Sequence, residues 1–162
     1  MSAANTNSQD ASPRKAQGTR HERIPVHIFE DPAKVAQKVA RRIAALIRAK
    51  AAEGKQTVLG LPTGSTPLGV YRELIRLHQD EGLDFSTVVT FNLDEYYPIS
   101  PDSLQSYHRF IHENLLDHIN VPPAQVHVMR GDLPPDMLDA FCVDYEAQNA
   151  SSMSGGLSLI HI

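Results

Sequence analysis

The sequence predicts an α/β protein with a Rossmann-like parallel sheet and helices on both faces. Two observations predict it. Short apolar runs alternate along the chain with longer segments of helical periodicity, the pattern of βαβ units. The central runs, residues 57–61 and 87–93, are mostly apolar without polar alternation, as in strands buried on both faces. Right-handed crossovers would put the loops after these strands on one edge of the sheet, where such sheets bind ligands.

The elements follow in order. Residues 25–29 form the first strand candidate. Asp31 and Pro32 then start a helix, a capping side chain followed by proline. Val35, Val39, Ile43, Leu46 and Ile47 recur at helical spacing, with alanines in the gaps and basic residues on the other side. Gly54 is the C-cap candidate. Residues 57–61 form the second strand. Thr66 is a candidate N-cap, with Pro67 at the first helical position. Val70, Leu74 and Leu77 give the next helix its apolar stripe, with Tyr71 and Ile75 beside it, and Gly82 closes it. Residues 87–93 form the third strand. A helix from about Leu104 or Ser106 to His118 carries Tyr107, Phe110, Ile111, Leu115 and Ile119 as apolar contacts. Residues 125–129 form a fourth strand. A last helix over residues 136–148 turns Leu138, Phe141, Cys142 and Tyr145 inward.

Composition narrows the function. A chain of 162 residues, 41% hydrophobic and 21% charged, suits one domain with an ordinary core. The formal net charge is −4 and there is no basic block, so nucleic acid is not an expected partner. No apolar run approaches a membrane span, so no membrane partner is expected either. The single cysteine, Cys142, excludes an internal disulfide framework and points to the cytoplasm. Its helical spacing reads as that of a buried small hydrophobe. Residues 1–22 are polar, lack the apolar core of a signal peptide and are expected to form a disordered tail.

The chemistry lies in two loops. After residues 57–61 the chain enters Pro62-Thr63-Gly64-Ser65-Thr66-Pro67. A helix start offers unpaired N–H groups and the positive end of its dipole to an anion. Thr63, Ser65 and Thr66 add hydroxyls, and Gly64 permits close approach or positive φ. The same composition also serves an ordinary turn, and taken alone the loop supports either reading. It is neither a P-loop nor a dinucleotide fingerprint, for want of the lysine and the glycine spacing. The second loop carries Asp94 and Glu95, the candidate catalytic carboxylates. Held against apolar walls, such a group can serve as a general base, while an aspartate after a strand is also an ordinary cap or turn residue. In the predicted topology both loops face one crevice, which suits a phosphorylated substrate whose far end undergoes proton transfer. His108 and His112 stand four apart on a helix, but no third ligand is evident, and a partly packed helix face explains them better than a metal site.

Three stretches carry a resemblance: Leu59-Gly60-Leu61-Pro62-Thr63-Gly64-Ser65-Thr66-Pro67, Val89-Thr90-Phe91-Asn92-Leu93-Asp94-Glu95-Tyr96 and Ser106-Tyr107-His108-Arg109-Phe110. Through them the chain, over residues 23–148, resembles the N-terminal portion of glucosamine-6-phosphate deaminases. The resemblance implies a Rossmann-like fold and conversion of glucosamine 6-phosphate and water to fructose 6-phosphate and ammonia. It puts Asp94 in the place of the family's general base and Gly64, Ser65 and Thr66 where the family binds the sugar phosphate. It implies no metal or organic cofactor and a small-molecule sugar phosphate as partner, with a homo-oligomer open to the complete protein. The family's later segment, which carries the ring-opening residues, is not matched: residues 149–162 depart from the pattern. The expectation is an apparently truncated domain with little or no deaminase activity by itself. The enzymatic alternative is a 6-phosphogluconolactonase, a family that typically shows Asp-Glu-Arg where this chain has Asp94-Glu95-Tyr96. A non-catalytic sugar-phosphate-sensing domain is the alternative of another class; retention of Asp94 disfavours it.

Overall fold

A computed structural model of the chain describes residues 26–153. The expected tail at residues 1–22 lies outside that range, as do residues 154–162 of the atypical end. The order of elements is α1 (Pro32–Ala52), β1 (Thr57–Leu61), α2 (Leu68–Glu81), β2 (Val88–Asn92), α3 (Tyr107–Asn114), β3 (Val126–His127) and α4 (Leu138–Met153). Among the described residues the strands form one parallel sheet in the order β1-β2-β3. Helices cover both faces, as the sequence predicts.

Local chemistry explains the long elements. Asp31 caps α1 by accepting from the Ala33 N–H at 2.8 Å, and Pro32 supplies the preset φ of the first turn. Gly82 closes α2 at φ 63°, a left-handed turn that glycine adopts without strain. Alternation then sorts the strand side chains. Leu59, Leu61 and Val88 join Ile43, Ile47, Tyr71, Leu74, Ile111 and Leu115 in the main core, beneath α1, α2 and α3. Val58, Val89 and Phe91 face the other way and meet Tyr145 of α4. The Tyr145 hydroxyl donates to the carbonyls of Asn92 (2.8 Å) and His127 (3.1 Å), and burial pushes its pKa up to about 12. That side chain fixes α4 to β2 and β3 together.

Several expectations change. Residues 26–30 form no strand; His27 makes only an isolated bridge, and Val26 and Ile28 are 50% and 59% exposed. A strand needs continuous pairing and a covered face, and this segment has a single bridge and exposed Val26 and Ile28. The α1 stripe is carried by Ala40, Ile43, Ala44 and Ile47, while Val35 is exposed. Small residues win because α1 lies close to α2: a Cβ on Gly69 would stand 3.0 Å from the Ala36 Cβ. The helix expected to reach His118 stops at Asn114. Leu115 breaks it at φ −149°, ψ −62°, and a 3-10 turn follows at Leu116–His118. Across the break, adjacent Leu115 and Leu116 are both buried. The strand expected at residues 125–129 is only Val126–His127, preceded by a proline-led 3-10 turn. Cys142 is exposed rather than buried. α4 meets the sheet through Phe141 and Tyr145, and Cys142 falls outside that line. No helix among the described residues is long and apolar enough to cross a membrane.

Leu74 is 1% exposed at the centre of the main core. Leu74→Ala should destabilise the fold by about 2–5 kcal/mol, read as a lower urea midpoint.

Candidate functional site

β1 and β2 run in register from Thr57 opposite Val88 to Leu61 opposite Asn92. They therefore end at one level. Residues 62–66 and 93–97 leave from the same edge of the sheet, as the topology predicts. The Tyr71 hydroxyl, on the buried face of α2, donates to the Pro62 carbonyl and anchors the start of the first loop. Burial holds that phenol well above its usual range. Thr63 is half-buried, and Gly64, Ser65 and Thr66 are exposed. Gly64 sits at φ 94°, where a side chain would be strained.

The expected Thr66 cap is absent. Pro67 is the N-cap of α2, already helical at φ −76°, ψ −12°, and no side chain caps this helix. The turn tightens one residue later than expected and leaves the Thr66 hydroxyl in the open. α1 and α3 differ: Asp31 caps the first and Ser106 the second. The first-turn donors of α2 have no side-chain acceptor, and three hydroxyl residues stand beside them.

The two carboxylates that the sequence places side by side have different surroundings. Asp94 is exposed, not walled by apolar side chains. Glu95 is turned toward α3. Its Oε1 accepts from the Tyr96 and Tyr107 N–H groups, each at 2.9 Å. Its Oε2 accepts from the Ser106 hydroxyl at 2.8 Å and the His108 N–H at 2.9 Å. Burial pushes the Glu95 carboxyl up, but the four donors together outweigh it and hold the group below the usual carboxylate range. The anion that the N-terminus of α3 favours is thus Glu95 itself.

Tyr107, expected among the apolar contacts of its helix, instead faces the crevice. Its hydroxyl lies 3.0 Å from that of Tyr96. Sequence reasoning missed this residue and Ser106 as parts of the site. The cue was present in Ser106, a cap-type residue just before the periodic segment. His108 is half-buried with its ring on that of His112, centroids 4.7 Å apart. Burial, then the charge of His112, lowers its pKa. The described residues include no group of three or more His, Cys, Asp or Glu that could hold a metal ion. At the end of β2 the Asn92 amide is 2% exposed and has no hydrogen-bond partner. The arrangement can hold an anion at the head of α2 and present a free carboxylate, Asp94, on the same edge.

Glu95→Gln should keep the fold and destabilise it by about 1–2 kcal/mol at pH 7. A carboxyl held below its unfolded pKa stabilises above that pKa and loses the effect as pH falls through the folded value. The gap between the two proteins in urea unfolding should therefore close on acidification below pH 4.5, the ordinary value for this side chain.

Comparison with known proteins identifies the family and the fold. Residues 30–159 match the family described as Glucosamine-6-phosphate isomerases/6-phosphogluconolactonase. Glucosamine-6-phosphate deaminase 2 of Bacillus subtilis is 46% identical over 110 residues, which are 68% of this chain and 43% of that protein. Glucosamine-6-phosphate deaminase of Halothermothrix orenii is 40% identical over 126 residues, 76% of this chain and 49% of that protein. A solved monomeric glucosamine-6-phosphate deaminase superposes with a TM-score of 0.69 at 39% identity, over 76% of this chain and 48% of that one. The 6-phosphogluconolactonase of Thermotoga maritima gives 0.61 at 27%, over 76% and 52%. The chain spans about half the length of these relatives. With the match covering most of its length and a parallel sheet of the same fold, the chain belongs to the glucosamine-6-phosphate isomerase/6-phosphogluconolactonase family.

Proposed function

We propose that this chain carries the phosphate grip and the proton-transfer base of a cytoplasmic glucosamine-6-phosphate deaminase. The observation that carries the reading is the uncapped head of α2, with Thr63, Gly64, Ser65 and Thr66 beside it, on the same sheet edge as the exposed Asp94. The substrate phosphate takes the place of the missing cap, held by backbone N–H groups and hydroxyls. Asp94 removes the C2 proton of the open-chain amino sugar and returns it to C1. C2 then stands as an iminium, to which water adds, and ammonia leaves to give fructose 6-phosphate. Glu95 cannot share this work while its four bonds go to Tyr96 and the head of α3, so its role is to position. Identity of 40–46% to deaminases, and Tyr96 after Glu95, support this reaction over lactone hydrolysis.

Exchange of the C1 proton of fructose 6-phosphate in deuterated water requires only the grip and the base. The chain should catalyse it, read by proton NMR, and Asp94→Asn should slow it by about 10²–10⁴-fold. Hydrolysis of 6-phosphogluconolactone without such exchange would instead establish a lactonase.

A further inference from the structure

The three parallel strands send their loops over one edge, and the third of these has no part in the chemistry just described. β3 pairs with β2 in parallel, with His127 opposite Phe91, so the chain past β3 leaves from the edge that carries Asp94. There residues 131–133 lie against the loop that follows Asp94. The Ile99 N–H donates to the Gly131 carbonyl at 2.7 Å, and the Tyr97 hydroxyl donates to the Leu133 carbonyl at 3.1 Å.

The fit at Gly131 is close. The residue is buried, and a Cβ on it would overlap both the Tyr96 carbonyl oxygen and the Ile99 Cγ2. Only glycine lets two stretches of backbone come this near. The segment itself is held in place. Leu133 is buried, and the residues on either side of Gly131 grip each other: Arg130 Nε and Nη2 donate to Asp132 Oδ1 and Oδ2, each at 3.0 Å. An exposed pair adds little stability, but its two-pronged geometry closes the chain around the glycine.

We propose that Gly131 is a positioning residue, which sets the lean of the loop bearing Asp94 by letting residues 131–133 bond to Tyr97 and Ile99. The proposal rests on the reading of Asp94 as the base. Asp94 lies between two other fixed points. Before it, the Asn92 carbonyl accepts from Tyr145; after it, Glu95 is bonded to the head of α3. Two attachments leave a loop free to swing about the line that joins them. The bonds to residues 131–133 add a third attachment further along the loop and stop that swing. To admit a methyl group at position 131, the Tyr96–Ile99 backbone must retreat by about 1 Å, and a misplacement of that size between base and substrate costs on the order of 10²-fold in rate. The grip at residues 63–66 follows β1, on the far side of β2 from this segment, so binding of the phosphate end is a separate matter.

The test compares the unmodified chain with Gly131→Ala, Tyr97→Phe and a core control, Ile43→Val. In Gly131→Ala the rate of C1 exchange at saturating fructose 6-phosphate should fall by about 10–100-fold, with the sugar affinity changed less than about threefold. Tyr97→Phe removes only the bond to Leu133 and should cost about threefold in the same rate. Ile43→Val should lower the melting temperature yet keep the rate per folded molecule, which separates positioning from stability. A full rate in Gly131→Ala, or a loss of affinity in place of rate, would overturn the proposal. So would an equal loss of rate in Ile43→Val. Absence of exchange in the unmodified chain would sink the assignment of the base, and the latch would then be decided without substrate. The backbone amide resonances of Asp94 and Ile99 should move in Gly131→Ala and the Ile99 N–H should lose protection from hydrogen exchange, while Ser65 and Thr66 stay unmoved. Tyr97→Phe should move the Asp94 resonance in the same direction and supplies the comparison if Gly131→Ala does not fold. An Asp94 resonance unmoved in every folded variant of the latch would overturn it.

Discussion

The carboxylate of Glu95 accepts four hydrogen bonds, and the geometry of the crevice depends on where they come from. One donor is local, the N–H of Tyr96. The other three belong to the head of α3, eleven to thirteen residues further on. A single ionised group therefore closes the long loop between β2 and α3 and satisfies the first turn of that helix. It works because charge-assisted bonds from helix N–H groups are strong and the helix dipole adds to them. Asp94, immediately before it, is left outside that network and open to the crevice. Two adjacent carboxylates thus divide according to which one meets the helix: Glu95 is bound into the structure and Asp94 stays exposed.

Beneath this clamp, the paired strands β1 and β2 set the level of the edge. Their side chains are buried on both faces, by α1, α2 and α3 on one side and α4 on the other. Tyr145 adds a polar fastening, since its hydroxyl touches carbonyls of both β2 and β3. Tyr71 does the same for the loop after β1. In both cases a buried phenol, held in its neutral form, gives a loop or strand end a fixed neighbour. The loops lean on the core through these hydroxyls, and the exposed groups at their tips are free for a ligand.

The elements that local signals determine were legible in the sequence. Asp31-Pro32, Gly82 and the apolar runs of β1 and β2 each carry their own cause within a few residues, and each holds in the structure. What was not legible depends on partners distant in the chain. Residues 26–29 have strand-like composition, yet a strand exists only where an edge accepts it. The helix break at Leu115, beside the buried Leu115 and Leu116, has no local signal such as glycine or proline. Cys142 has helical spacing, but the narrow contact of α4 leaves it outside. At the site, the loop of Thr63–Thr66 and Asp94 could be assigned to one edge from topology. The separate use of Glu95 could not, because the donors that occupy it lie beyond an intervening loop. Nor could the placement of Tyr107, whose hydroxyl meets that of Tyr96 from another segment.

The uncapped head of α2 has a thermodynamic consequence. A missing N-cap costs a helix about 1 kcal/mol, and α2 supplies four buried residues to the main core. The native state is therefore least complete where it is open to solvent, and an anion bound there repairs it. Binding and folding then draw on the same contacts. An anion at one hundred times its dissociation constant raises stability by about 2.7 kcal/mol. On the proposed reading, the melting temperature of the protein becomes a reporter of how much phosphorylated ligand surrounds it.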